Sequence, residues 1–578
     1  MDYSVKENIL MLIALLKKHG IRKIVVSPGT TNVMFVASIQ QDKWFEIYSS
    51  ADERSAAYIA CGMAEESNEL IAITCTGATA SRNYFPALTE AYYRNLPILV
   101  ITFSLVEAVY DNLMPQVIDR TVAPNDTVKM YVEIPEVKND IDLWKANYLI
   151  NKGILELTHH DKGPVHINLI DAFSYDFSAK TLPNVRVIKR LFVIDDLPEI
   201  KESRIAIFIG EHTIFSTECI NAIDEFCSYY NAVVITDHTS NFRGKYSVLG
   251  ALITSQEQIK KEAISFDLII DLGGITGDYY MVDTKKSWRV DPSGNIKDRF
   301  HNVEIVFEMP EITFFEKYIN IAKEHNYTAD NNSEILRWKN LREQISSQIA
   351  ELPFSNIEVA KYMSEFIPDS CYVYFGILNS LRAWNFFELP SHVQVFCNVG
   401  GFGIDGGMST FLGGSIVKPN ILHFLFIGDL AFFYDMNSLG NRHLGRNIRI
   451  LLINNGCGTE FKHYSHPGSM FGNATDNYIA AKGHYGNCSR QFVRHYVEDL
   501  GFLYLSADNK LDLKKQINVF TDEQCEQSIV FEVFTNPKDE SDALKTIRNI
   551  IHNVSMKQIV KDTLGPSNIQ KIRSIIRK

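Results

Sequence analysis

Short segments rich in Ile, Val, Leu and Phe recur along the chain, at 70–74, 98–103, 204–209, 232–235, 266–272, 422–427 and 448–453, with stretches of helical spacing between them. A strand that is apolar at nearly every position has both faces covered, unlike the one-sided strands of many antiparallel sheets. The alternation therefore predicts an α/β chain of doubly wound parallel sheets with helices on both sides. At 578 residues the chain exceeds what one core organises. A polar, proline-containing stretch at 176–190 and a charged helical stretch at 332–348 divide it into three such domains, 1–185, 186–345 and 346–555, followed by a helical tail at 556–578. The first domain opens on a helix over 5–19, a strand over 21–27 and a turn at Pro28-Gly29.

The formal net charge of −12 argues against nucleic acid or an anionic membrane surface as a partner. No apolar run approaches the roughly 20 residues that span a bilayer. The run at 9–16 leads into Lys17 and Lys18 without a small-residue cleavage site, so it reads as the buried part of the first helix and not as a signal peptide. Nine scattered cysteines, never spaced C-x-x-C, fit reduced core thiols in a cytoplasmic protein.

The chemistry concentrates in the third domain. One apolar strand ends in Gly428-Asp429-Leu430 and the next ends in Asn454-Asn455, which places Asp429 and Asn455 26 residues apart, each just past a strand. Two strand ends that each present an oxygen suit a diphosphate-bound divalent cation. Asp429 offers a carboxylate, Asn455 an amide oxygen and Cys457 a backbone carbonyl, and Mg2+ completes its octahedron with phosphate oxygens and water. Gly428 lets the backbone approach phosphate, and a helix beginning near Ala431 points its N-terminal amides the same way.

The segment from Gly428 to Asn455 resembles the thiamine diphosphate signature, Gly-Asp-Gly followed after a similar interval by Asn-Asn. Leu430 stands at the third position, a departure shared by the menaquinone-pathway 2-succinyl-5-enolpyruvyl-6-hydroxy-3-cyclohexene-1-carboxylate synthases. The resemblance implies pyrimidine-binding, central and diphosphate-binding domains, with thiamine diphosphate and Mg2+ as cofactors. It makes Glu53, in Asp52-Glu53-Arg54, the carboxylate that bonds the aminopyrimidine and promotes loss of the thiazolium C2 proton. Thr79, in Thr76-Gly77-Ala78-Thr79-Ala80, falls in a cofactor-binding loop, and Gln116 falls beside the reacting carbon. Ser380 of Asn379-Ser380-Leu381 and Gly403-Ile404 of the Gly-rich 398–406 stretch fall where the cofactor is wrapped, Ile404 being the wedge that bends it. The family pairs Glu53 with the metal motif of another subunit, which implies a homodimer or homotetramer.

The sequence departs from those synthases where they place arginines for two polyanionic substrates, 2-oxoglutarate and isochorismate. The matched positions are Thr31, Phe103-Ser104-Leu105, Trp384 and Val399, with Gly277-Asp278-Tyr279 in the central domain. Each desolvated carboxylate needs a paired donor, so the expected donor is a 2-oxo acid without a distal carboxylate, such as pyruvate. Glu460 and His463, on the segment after Asn455, are candidate acid–base groups, and Arg82 is a candidate replacement cation. The function read from this is a carboligase joining a decarboxylated 2-oxo acid to an acceptor carbonyl such as a sugar. The alternatives are simple decarboxylation, the menaquinone-pathway reaction and a non-catalytic regulatory protein on the same fold.

Overall fold

The computed structural model describes residues 2–106, 113–119, 121–278, 282–328, 332–483 and 489–553, so the tail expected at 556–578 lies outside the described residues. The chain forms two units, Met1–Asp195 with Pro292–Glu308, and Asp196–Asp291 with Met309–Lys578.

In the first unit six parallel strands lie side by side in the order Glu46–Ser49, Lys23–Val26, Ile71–Thr74, Ile98–Leu105, Val165–Asp171, Met130–Ile134. Alternate residues of one strand enter different cores. Ile24, Val26, Leu99 and Ile101 pack with Ile9–Leu16 residues and with Ala146, Ile150 and Ile154 of the helix Asp140–Glu156. Val25, Ile98 and Val100 pack on the other face with Ala56, Ala57, Ala60, Tyr84 and Ala87. This two-sided burial is why the strands lack polar alternation. The run at 9–16 lies inside the helix Glu7–Lys18 and is buried throughout. The same unit pairs Lys189–Phe192 in parallel with Val303–Glu308, so part of the expected linker is a strand.

The second unit carries a parallel array of Ser247–Leu249, Ala232–Thr236, Ile205–Ile209, Leu268–Leu272 and Ser287–Val290. Its other sheet runs Gln394–Cys397, Tyr372–Phe375, His423–Gly428, Ile448–Asn454, Ile529–Phe534, Leu503–Ala507, again all parallel. Leu425, Ile427, Ile450 and Leu452 pack there against Met408, Phe411, Phe432 and Val493.

Numbered along the chain within each sheet, both six-stranded sheets have the order 2-1-3-4-6-5. Each therefore has a topological switch point between its first and third strands, where open parallel sheets form a ligand crevice at the strand C-termini. In the first unit that point is flanked by the loops at Pro28-Gly29 and Thr76–Thr79. In the second it is flanked by Gly376–Ser380 and Gly428-Asp429. Of the candidate residues, Thr79 lies at the first of these places, and Ser380, Gly428 and Asp429 lie at the second.

Candidate active site

The strands ending at Gly428 and Asn454 are hydrogen-bonded neighbours, with Gly428 opposite Ile453. Asp429 begins the helix Asp429–Asp435, two residues earlier than the sequence suggested. Its carboxylate ties the strand ends together: Oδ1 accepts from Leu430 N at 2.7 Å and Oδ2 accepts from Gly456 N at 2.7 Å. Gly456 has φ +80°, which glycine adopts without strain and which turns the chain directly after Asn455. Asn455 Oδ1 accepts from Cys457 N at 3.4 Å, and Cys457 is buried.

These residues fit a divalent cation. Asp429 is 3 % exposed, and burial pushes its carboxyl up to about 7 although the Gly456, Leu430 and Asn455 amides oppose the shift. No cationic side chain of the described residues pairs with it, and the buried Glu532 nearby adds negative charge. A sealed carboxylate served by amides alone, beside an amide oxygen and a backbone carbonyl, matches the hard oxygen set that Mg2+ takes.

Glu460 and His463 come together with residues that sequence reasoning did not single out. Arg382 Nη1 lies 3.0 Å from Glu460 Oε1, and Arg382 Nε donates to Gly277 O at 3.3 Å. The Asn379 amide, oriented to satisfy its neighbours, donates to Glu460 Oε2 at 2.7 Å and accepts from Glu460 N at 3.2 Å. With His466, Phe386 and Glu540 these groups line a cavity of about 290 Å³. His463 is 7 % exposed, and desolvation, helped by Arg382 and His466, holds its imidazole down at about 4. Glu540 accepts from Asn356 N and from the Thr535 hydroxyl, and burial pushes its carboxyl up to about 7. Ser380 is buried directly beside Asn379, whereas Ile404 is half-buried and Gly403 exposed on the 398–406 loop. Trp384 and Val399, two of the positions matched to arginines, are core residues, Trp384 stacking on Phe426 at 3.9 Å.

In the first unit Glu53 starts the helix Glu53–Ser67, whose N-cap Asp52 accepts from Arg54 N. Glu53 is half-buried, and Asn83 Nδ2 donates to its Oε2 at 3.2 Å. The two switch-point loops touch: a Cβ on Gly29 would sit 2.3 Å from Thr76 Cβ, so only glycine allows this approach. Thr79 is exposed at the start of a short helix, and Ala78 before it has φ +56° and ψ −137°. Leu378 before Asn379 repeats this conformation in the second unit, with φ +63° and ψ −125°. Side chains pay steric strain there, and such strain clusters at functional loops. Arg82 Nη2 donates to Asp119 O at 3.4 Å and does not line the first unit's cavity.

That cavity, of about 210 Å³, gathers Thr31, Thr76, Phe103, Ser104, Leu105 and Gln116 among its walls. Thr31 and Phe103–Leu105, far apart in sequence and both matched to arginine positions, thus face one space with Gln116. Among the described lining residues the charged side chain is an acid, Glu133, whose Oε2 accepts from Tyr131 OH at 3.1 Å. Gln116 is exposed with φ +64°. Glu133 carried no signal in the sequence, since an acid in a strand reads as a solvated edge. Arg382 had one: it lies two residues after Ser380, in the first turn of a helix that opens at a crevice.

Residues 10–121 match the thiamine pyrophosphate enzyme, N-terminal TPP binding domain family. Over its length the chain is similar to 2-succinyl-5-enolpyruvyl-6-hydroxy-3-cyclohexene-1-carboxylate synthases. It is 32 % identical to that of Bacteroides fragilis, over 95 % of this chain and 100 % of the relative. Identity is also 32 % to the Phocaeicola vulgatus protein, over 94 % and 98 %. It is 27 % to the Flavobacterium johnsoniae protein, over 92 % and 96 %.

Proposed function

The chain belongs to the thiamine pyrophosphate-dependent enzymes, and on that footing we propose that it is a carboligase that joins the acyl unit of a decarboxylated 2-oxo acid to an uncharged acceptor carbonyl such as a sugar. The cavity beside Gln116 carries this reading. Its described walls are apolar or hydroxylic with one acid, Glu133, so a distal carboxylate there would be desolvated beside a carboxylate instead of a guanidinium. The 2-oxo acid is therefore short, of the pyruvate kind.

Bound thiamine diphosphate supplies the electron sink that decarboxylation next to a carbonyl requires. Asp429, Asn455 and the Cys457 carbonyl would hold its Mg2+, with Gly428 and Leu430 beside the diphosphate. Ser380, Gly403, Ile404 and Thr79 would line the remainder. Glu53, at the start of the helix that follows the edge strand of the first unit's sheet, would bond the aminopyrimidine and hold the proton it exchanges. Its place in a separate unit from Asp429 suits a site completed by a second copy of the chain, as a homodimer or larger homo-oligomer. Glu460 and His463 face the substrate side. The Glu460 carboxylate is engaged by Arg382 and Asn379, so it orients, while uncharged His463 moves a proton.

The full-length similarity to the named synthases favours a second reading, their own reaction on 2-oxoglutarate and isochorismate. Product analysis with the chain loaded with thiamine diphosphate and Mg2+ decides between them. Pyruvate with a panel of aldehydes and keto-sugars is expected to give a ligated product. Free acetaldehyde irrespective of acceptor indicates a decarboxylase, and turnover confined to 2-oxoglutarate with isochorismate overturns the proposal.

A further inference from the structure

Among residues that line neither cavity, the loop after the helix Asp140–Glu156 brings His159 and His160 to the end of the strand Val303–Glu308 in the first unit. His159 Nε2 lies 3.3 Å from Glu308 Oε2, and His160 Nδ1 lies 3.4 Å from Glu308 Oε1. His159 is 7 % exposed, yet its Nε2 and the Glu308 Oε2 it faces are both sealed from solvent without a hydrogen-bond partner. On the ring's other side, Nδ1 lies 3.0 Å from Glu156 Oε2. A ring that donates from Nδ1 to a carboxylate presents the Nε2 lone pair, and a lone pair facing a carboxylate oxygen is repulsive unless a cation sits between them.

The neighbouring cations do not fill that gap. Arg190 donates from Nε to Gly294 O and from Nη1 to Leu155 O, leaving Nε 3.6 Å from Glu308 Oε2, beyond hydrogen-bond range. Lys129 spends its ammonium on the carbonyls of Glu156, His159 and Asp161 and lies 3.8 Å from Glu156 Oε1. The backbone is also arranged around this point. His160 has φ +53° in the left-handed region, and Gly294 has φ +64° where a Cβ would strike Glu308 Oε2 at 2.1 Å and His159 Nε2 at 2.9 Å.

We propose that His159 Nε2, His160 Nδ1 and the Glu308 carboxylate form a site for a late divalent metal such as zinc, with Glu156 as the carboxylate that orients His159 and water in the open position. Two imidazoles with one carboxylate select zinc over Mg2+, so the site is chemically distinct from the oxygen set around Asp429. The His159 and His160 rings stack at 4.0 Å with a 26° tilt. Both nitrogens therefore lie on the Glu308 side, and the exposed His160 ring turns to bring its lone pair to the metal. Bound there, the metal pins the end of one helix to the end of one strand.

The test is zinc content and affinity of the full-length chain, with thiamine diphosphate and Mg2+ present throughout. One zinc per chain is expected, with four-coordinate absorption bands when cobalt replaces it and a rise in unfolding temperature on adding zinc. His160→Asn, at an exposed position that the fold tolerates, and Glu308→Gln are each expected to weaken zinc at least ~10-fold, and Glu156→Gln by roughly 10- to 100-fold. Asp429→Asn is expected to keep the zinc, which separates this site from the cofactor's metal. The proposal is overturned if zinc and cobalt do not bind in a one-to-one ratio, or if affinity is the same in His160→Asn. It is also overturned if nitrogen NMR of the zinc-treated protein finds His159 as an imidazolium held between Glu156 and Glu308.

Discussion

The Arg382–Glu460 pair gives the sharpest test of the second unit's cavity. Its side chains are 10 % and 16 % exposed, and Nη1 and Oε1 are 3.0 Å apart. Breaking such a pair from one side leaves a buried charge and costs about 3–5 kcal/mol. Arg382→Met leaves Glu460 facing the Asn379 amide alone. Because a cavity borders the pair and admits water, the expected loss sits at the lower end, about 3 kcal/mol. Glu460→Gln keeps a carbonyl for Arg382 to bond, so about 1–3 kcal/mol is expected, the penalty of an imperfectly satisfied buried group. Arg382→Met with Glu460→Gln removes both charges and is expected to lose only ~1 kcal/mol, so single losses summing to about 4–6 kcal/mol give a coupling of about 3–5 kcal/mol between the sites. Urea midpoints at fixed protein concentration, with unchanged slopes, measure all three. Additive losses in the double variant, or single losses under ~0.5 kcal/mol, would refute the view that this is a buried pair retained for chemistry. The companion assay is turnover: all three variants should lose kcat/KM while binding thiamine diphosphate normally, since none of these residues lies in the Asp429 cluster.

Glu53→Gln should leave stability and cofactor affinity close to the parent, because Asn83 is the partner its side chain holds, while lowering kcat by roughly 10²- to 10⁴-fold. Gly29→Ala places a Cβ 2.3 Å from Thr76 Cβ, two backbone-anchored atoms that cannot swing aside. A loss of about 1–3 kcal/mol in thermal unfolding is expected, recovered in part by Thr76→Gly. Raising thiamine diphosphate with Mg2+ to 100 times its Kd should stabilise the fold by about 2.7 kcal/mol, reversed by chelation and absent in Asp429→Asn. Glu540 sets a pH dependence: its folded carboxyl is raised from 4.5 to about 7 by burial. Its contribution is thus fully present below pH 4.5 and lost as pH rises through 7, a decline of ~3 kcal/mol. Comparing Glu540→Gln with the parent across that range isolates it, and parallel profiles would contradict the assignment.

The sheets were legible because their strands are apolar on both faces, and the neighbouring strand ends at Gly428 and Asn454 were legible because each closes an apolar run. What the sequence hid was joined by topology. Thr31 and Phe103–Leu105 carry no shared pattern, yet the crossover from the first strand to the fourth brings them to one cavity wall. The repetition of strand order between the two six-stranded sheets is likewise invisible as a repeat, since it conserves connectivity and burial but not residues. The helix at Asp429 starts two residues before the expected position, with the buried carboxylate of its first residue taking the Leu430 amide. Nothing local announces that role.

The charge pattern of each cavity bears on the proposed substrate. A site for two polyanions has to present guanidinium groups that their carboxylates can claim. In the first unit's cavity the charged group among the described walls is Glu133. In the second unit's cavity Arg382 is matched by Glu460, and burial keeps His463 uncharged at neutral pH. A dicarboxylate entering either one would have to break an existing pair or sit beside an acid, each costing several kcal/mol. In the first unit's cavity a hydroxyl-bearing carbonyl compound would meet Glu133, Gln116 and Ser104 as hydrogen-bond partners. Introducing cations at Thr31 and Leu105 therefore tests the direction of selection. If Thr31→Arg with Leu105→Arg raises kcat/KM for 2-oxoglutarate relative to pyruvate, the cavity's charge governs donor choice; an unchanged ratio places that choice elsewhere.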